Sequence, residues 1–296
     1  MATTFTKNTF GVTYKDDFAD SDNYHRILFN SGRAVQAREL TQSQTITQEE
    51  IARLGRHVFK DGAAVNPGGP TVNNSYEFVK LSSAITDDQV TSLVGLEFTG
   101  ATSSIKARVI RVAQAVTDTS LAELDASVSA TGDPATIFVQ YTDTSTSGLG
   151  GTAPVRFTPG ENITSGATTL TVQSTNTTAN PATGQGTLIS NGAGDFFVRG
   201  HFVFAKNQSI LLRKYSKFPT EVVGFVVTED IVTFADDAAL YDNQGAVPNT
   251  TAPGADRYRI NLTLTRKSDV TGTQNFVFYC DAVSYTHLRA HETSLH

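Results

Sequence analysis

The stretch that decides the fold is Arg33–Lys60, RAVQARELTQSQTITQEEIARLGRHVFK. It is the only strong helical signal in the chain. It holds no proline, and Gly55 is its sole interior glycine. Ala37, Leu40, Gln44, Thr47, Ile51, Leu54 and Val58 recur at alternating spacings of three and four, the heptad pattern of a helix that presents one stripe. Gly62 is placed to end the helix, with Arg56 and Lys60 near the negative end of its dipole. Thr47 and Glu50 have capping-box spacing, which allows a break near residue 46. Unbroken, the helix would be roughly 40 Å long at 1.5 Å per residue.

From residue 67 the period falls to two. SYEFVKLSS (75–83), SIKARVIRVAQAV (104–116), ATIFVQYTD (135–143) and PVRFTPGENI (154–163) alternate as strands do. ARVIRV and TIFVQY read as antiparallel neighbours, joined by the loop TDTSLAELDASVSATGDP (117–134). Residues 142–152 and 173–192, rich in Ser, Thr, Gly and Asn, read as loops or linkers. DFFVRGHFVFAKNQSILLRKYS (195–216), EVVGFVVTEDIVT (221–233) and RYRINLTLTRK (257–267) form a second strand-rich stretch, with Asn207–Gln208 as its hairpin turn. No regular internal repeat is present. The expected class is α+β, mainly β. An extended arm (1–32) and a long helix with its cap (33–66) precede two antiparallel β-rich regions (67–180 and 181–282).

Composition narrows the function. The chain has 296 residues, a net charge of −6, one cysteine and no tryptophan. An acidic balance excludes general affinity for nucleic acid or an anionic membrane surface. The lone Cys280 excludes an internal disulfide framework. The longest apolar runs, such as VVGFVV (222–227), fall far short of a membrane span. The start, MATTFTKNTFGVTYKDDF, lacks the order of a signal peptide, so synthesis in a cytoplasm is expected and Asn162 and Asn261 are not read as glycan acceptors.

No enzyme motif survives inspection: there is no G-x-S-x-G, phosphate loop, H-E-x-x-H or C-x-x-C. Asp16, Asp17, Asp20 and Asp22 suggest calcium, but a loop started at Asp17 lacks Gly at its sixth position and has Leu28 at its twelfth. A solvated acidic turn fits better. A glycosidase-type carboxylate pair drawn from Glu229, Asp236 or Asp237 is available, as in any acidic β protein. His25, His57 and His201 are read as packed or surface residues. No catalytic residue, cofactor or metal is assigned. The polar Gln44 and Thr47 at the centre of the helical stripe leave two readings: a helix laid on a sheet, or an interaction helix that meets its copies or a neighbour.

FNSGRAVQARELTQSQTITQEEIARLGRHVFKDGAAVNPGG (29–69) resembles the opening of a family of large virion structural proteins in contractile-tailed bacteriophages, common in cyanophages and known only as a domain of unknown function. FFVRGHFVF, EVVGFVVTEDIVT and AALYDNQGAVPNTTAPGADRYRINLTLT resemble its later blocks, so the likeness runs in ordered pieces over roughly residues 25–270. It implies a tail or baseplate protein of the virion that works in assembly, as a homo-oligomer or against other tail subunits, and not an enzyme. A receptor- or glycan-binding tail fibre protein is the alternative, and a tail-associated depolymerase the third. The family supplies no catalytic residues to carry over. The last stretch, VSYTHLRAHET (283–293), matches the translation of a transposon-type sequencing adapter without a gap. His287 and His291 have i, i+4 metal-ligand spacing, but the adapter match outweighs it. The tail (283–296) is therefore expected to have no function, and the frame to be the 5′ fragment of a larger gene.

Overall fold

The computed structural model describes residues 10–11, 13–118, 122–123, 132–143, 156–242, 249–272, 275–282 and the backbone of 289–290. The chain is mainly β, with one long helix and several antiparallel sheets. The α-helices named among the described residues are α1 (Ala37–Val58) and the short α2 (Asp87–Ser92). The strands of the first half are β1 (Ala64–Asn66), β2 (Pro70–Lys80), β3 (Glu97–Gly100), β4 (Lys106–Ala113), β5 (Thr136–Asp143), β6 (Asn162–Ser165) and β7 (Thr168–Thr171). Those of the second half are β8 (Thr183–Asn191), β9 (Gly194–Val198), β10 (His201–Ala205), β11 (Gln208–Arg213), β12 (Glu221–Val232), β13 (Tyr241–Asp242), β14 (Asn249–Pro253), β15 (Arg257–Arg266), β16 (Phe276–Ala282) and β17 (Arg289–Ala290).

The chain divides into two compact units that interleave in sequence. One comprises 1–71, 190–210 and 220–296; the other comprises 72–189 and 211–219. These boundaries differ from those expected at 66/67 and 180/181, because strands distant in sequence pair within each unit.

The first unit holds α1, the sheet β1-β9-β10, the sheet β15-β12-β16-β17 and the pair β13-β14. The helix begins at a capping box: the Gln36 backbone N–H donates to Glu39 Oε2 at 2.9 Å. It does not break at residue 46. Thr47 Oγ1 donates to the Ser43 carbonyl at 3.1 Å, a bond inside the helix rather than a new cap. The β9–β10 hairpin turns on Arg199 (φ 54°) and Gly200 (φ 86°). Two positive φ values make the two-residue turn that matches strand twist. The Arg199 N–H donates to Asp61 Oδ1 at 2.6 Å, and its guanidinium pairs with Glu229, so the unfavourable arginine conformation is held from both sides. The expected hairpin at Asn207–Gln208 is not made: β10 pairs with β9, while β11 joins the other sheet. The aromatic core is Phe196, Phe225 and Tyr279, with ring centroids 4.7, 5.5 and 5.1 Å apart pairwise. Gly62 sits beyond the helix, not as its cap. A Cβ there would lie 2.0 Å from the Phe278 carbonyl oxygen, so glycine is required by close approach. Arg289 and Ala290, inside the stretch read as adapter-derived, pair with Asp281 and Cys280 at the edge of β16. The rest of that stretch, His287 and His291 included, lies outside the described residues.

The second unit holds the sheet β11-β8-β2-β5-β4-β3-β6-β7. β4 and β5 pair antiparallel as their alternation predicts, with Val109 opposite Val139. β2 is buried on both faces at its end. Val79 and Leu81 enter a cluster with Phe98, Ile137, Phe157 and Ile163, while Tyr76 and Phe78 pack with Phe138. Residues 173–192 are not a linker: 183–191 is β8, with Thr187, Ile189 and Asn191 buried. Its small residues are the reason it forms. A Cβ on Gly184 would lie 2.8 Å from the Phe78 ring, and one on Gly186 2.4 Å from the Lys214 carbonyl oxygen. PVRFTPGENI becomes a strand only at its end, after a turn at Gly160 (φ 80°). Most of the loop 117–134, residues 144–152 and residues 243–248 lie outside the described residues.

Candidate interaction site on the long helix

Helix α1 has three faces. The first carries Gln48, Ala52 and Gly55 and meets the β9–β10 hairpin. A Cβ on Gly55 would lie 2.2 Å from Phe197 Cε2, and one on Gly200 would lie 2.7 Å from Ala52 Cβ. Gln48 Nε2 donates to the Gly200 carbonyl at 2.9 Å. Small side chains let the two backbones approach, and the ring of Phe197 fills the gap. Phe59 closes the end of this contact against Phe197 and Phe202, at 5.9 and 5.8 Å between ring centroids.

The second face binds the N-terminal arm. Asp17 accepts from Arg38 at 3.2 Å and from Gln42 at 3.0 Å. Asp16 accepts from Thr45, and Asp20 pairs with Arg53 at 3.0 Å. His25 lies 3.5 Å from Glu50. The acidic cluster is thus laid out along the helix: Asp16 is buried, while Asp17, Asp20 and Asp22 are exposed, the last two in a one-turn 3-10 helix that fits the solvated turn expected there. The exposed pairs contribute about 0.2–1 kcal/mol each, and their spacing along α1 sets the path of the arm. The carboxylates of Asp16, Asp17, Asp20 and Asp22 all have protein partners, that of the exposed Asp22 being the Ser21 hydroxyl at 3.4 Å.

The third face is the heptad stripe. Leu40 is 53% exposed, Ile51 41% and Leu54 67%. Ala37, Gln44 and Thr47 are exposed too, and Val58 is half-buried. The structure brings all seven residues onto one face, and that face is not the one that packs on the hairpin. From Leu40 to Leu54 it runs about 21 Å at 1.5 Å per residue. Nearby in sequence, Tyr24, Leu28, Phe29 and Val35 are also exposed.

The carboxylates considered for hydrolysis are engaged elsewhere. Asp236 Oδ2 accepts from Thr233 N at 3.0 Å and Thr233 Oγ1 at 2.9 Å, and those bonds hold its carboxyl below the usual range. Asp237 caps a short 3-10 turn through Ala239 N at 2.9 Å, and Glu229 is buried against Arg199. His201 packs beside Tyr258 at 5.8 Å between rings, and burial lowers its pKa. Among the described residues, no group of three or more His, Cys, Asp or Glu is placed to hold a metal ion. Among the described residues, no helix is long and apolar enough to cross a membrane.

Sequence reasoning did not single out Ile46 or Ala52, which α1 buries, and gave Gly55 and Asp16 no packing role. The available signal was Gly55 itself. A glycine inside a helix costs about 1 kcal/mol relative to alanine, so it needs a packing reason.

Residues 12–89 match the model of a domain of unknown function (DUF4815). The match takes in the arm from residue 12, α1, β1, β2 and the start of α2, about a quarter of the chain. No curated protein and no solved structure matches the chain.

Proposed function

We propose that the chain is a structural protein of a bacteriophage virion, in the tail or baseplate, that acts in assembly through protein–protein contacts made by α1. The observation that carries this reading is the stripe Leu40, Ile51 and Leu54, held in solvent at heptad spacing while the hairpin and the arm occupy the other faces. The resemblance of residues 29–69 to tail proteins supports the virion setting. The seam is suited to a second copy of itself: Gln44 meets Gln44 at a central position, sets register and costs some stability. Other tail or baseplate subunits are the remaining partners, reached after synthesis in the host cytoplasm. The reading involves no catalysis, cofactor, nucleic acid or membrane.

Sedimentation of the wild type alone and with neighbouring tail proteins tests it. The wild type should self-associate or bind one of them, and Leu54→Asp should abolish that contact while circular dichroism stays unchanged. A wild type that is monomeric and binds none of them sinks the reading.

A receptor- or glycan-binding role is the second reading. It is favoured by a hollow in the second unit lined by Tyr76, Glu77, Gln140, Tyr141 and Arg156. A concave site with a few fixed polar groups suits a small polar ligand such as a sugar, and Arg156 is fixed by Glu77 at 2.6 and 3.0 Å. Titration of host surface polysaccharide against wild type and Arg156→Ala separates the two readings.

A further inference from the structure

Lys80 has no exposed surface. It stands at the end of β2 on the same side as Tyr76 and Phe78, where alternation places it among aromatic rings. Its Nζ is 4.1 Å from the centre of the Tyr215 ring and 5.6 Å from that of Phe78. The same Nζ donates to Asn180 Oδ1 at 2.7 Å. Asn180 is itself buried, and its Oδ1 also accepts from Gln173 Nε2 at 3.3 Å.

Both partners are fixed by backbone bonds. The Lys80 N–H donates to the Ala182 carbonyl at 2.9 Å, and its carbonyl accepts from Gln173 N at 2.8 Å. The Asn180 N–H donates to Thr177 Oγ1 at 3.0 Å. An amine 2.7 Å from a carbonyl oxygen lies about 3.5 Å from the carbonyl carbon, given a C=O length of about 1.23 Å and a trigonal approach. That is the separation of a near-attack pair.

We propose that Lys80 and Asn180 join in an intramolecular isopeptide bond. Lys80 Nζ attacks Asn180 Cγ, a C–N bond forms, and the Asn180 amide nitrogen leaves. Starting from the lysine ammonium and the neutral amide, the products are a secondary amide and ammonium. Atoms and charge balance with no oxidant, reductant or co-reactant.

Three features favour the step. Burial lowers the Lys80 pKa to about 8, against an opposing pull from Asp133, so about a tenth of the amine is neutral and nucleophilic at pH 7. The Gln173 amide stands where negative charge develops on Oδ1. The aromatic shell excludes the water that would compete for the carbonyl. The bond would tie β2 to the segment entering β8, across 100 positions of sequence. It does not depend on the role proposed for α1.

Intact-mass spectrometry of the purified full chain tests it. The wild type should be lighter than its sequence by one ammonia. Proteolysis should release a branched peptide joining the Lys80 and Asn180 segments. Lys80→Arg and Asn180→Ala should each carry the full mass. Freshly refolded wild type should lose ammonia faster as the pH rises toward about 8. The proposal is overturned if folded wild type keeps its full mass after long incubation well above that pH. It is equally overturned if the ammonia is lost without the branched peptide, since a cyclic imide at another asparagine would then be the cause. Both results are read on the wild type, so a variant that fails to fold leaves the test intact.

Discussion

Twelve of the fifteen large apolar side chains exposed among the described residues belong to the first unit; Val94, Ile110 and Phe218 are the three in the second. The second unit does the opposite with polar groups and draws them inside. Lys80 is buried on Asn180, and Asp133 is buried with Lys214 at 2.7 Å. Glu161 accepts from Thr102 N, Ser103 N, Ser103 Oγ and Thr158 N within 2.6–2.9 Å. Thr187 Oγ1 lies 2.9 and 3.0 Å from the carbonyls of Ser216 and Lys217. Satisfied buried polar groups fix a single arrangement, since each would be costly unpaired. The first unit buries fewer polar residues among the described ones (Asp16, Asn191 and Glu221), lays others along α1 to hold the arm, and leaves leucines and phenylalanines outside. A surface of that kind marks a partner. On the function proposed above, the first unit makes the contacts, while the second is the one fixed internally by satisfied polar groups.

Four experiments test that contrast. The largest effect should come from Phe138→Ala, which removes a fully buried ring stacked on Tyr76 at 5.1 Å. A loss of about 4 kcal/mol is expected, read by urea titration, with faster hydrogen exchange confined to the second unit. A loss below about 1 kcal/mol would remove this cluster from the core.

Gly55→Leu should come next. It improves helix propensity but puts its Cβ 2.2 Å from Phe197 Cε2. Overpacking of this kind costs about 1–3 kcal/mol, and exchange should quicken in α1 and the β9–β10 hairpin. A more stable variant would mean that the helix does not need its close approach.

The pH response of the first unit should be smaller. Burial disfavours the charged form of His201, with the nearby Glu229 pulling the other way. Its folded pKa therefore lies below the unfolded value of about 6.5, and the unfolded chain takes up the proton first as pH falls. Stability should be full above that value and decline as pH drops through it toward the folded pKa. The slope should stay well below the roughly 1.4 kcal/mol per pH unit of one whole proton, because the ring is only partly buried. His201→Gln should flatten the decline; an unchanged slope would assign it to other groups.

The smallest effect on stability should be that of Leu54→Asp, within about 0.5 kcal/mol, since the side chain stands in water. Its effect on association should be complete. A large destabilisation would show that the stripe is core after all.

Much of this was legible in the sequence. Heptad spacing placed Ala37 to Val58 on one helical face, and alternation paired Ala107–Val112 with Ile137–Tyr141, because these periods follow from the backbone alone. Other features were decided only by tertiary structure. Periodicity says which residues share a face, not what lies opposite. So the exposure of Leu40, Ile51 and Leu54 was set by a hairpin of distant sequence that chose the neighbouring face of Ala52 and Gly55. β8 has little apolar alternation to read, and it became a strand because its glycines fit against Phe78 and Lys214. The Arg199–Gly200 turn won over Asn207–Gln208 because Asp61 and Glu229, 138 and 30 positions away, hold an arginine at positive φ. Lys80 looked like one more polar residue in an alternating strand. Only the packing of Tyr215 and Asn180 around it turned an ordinary lysine into a buried amine beside an amide carbonyl.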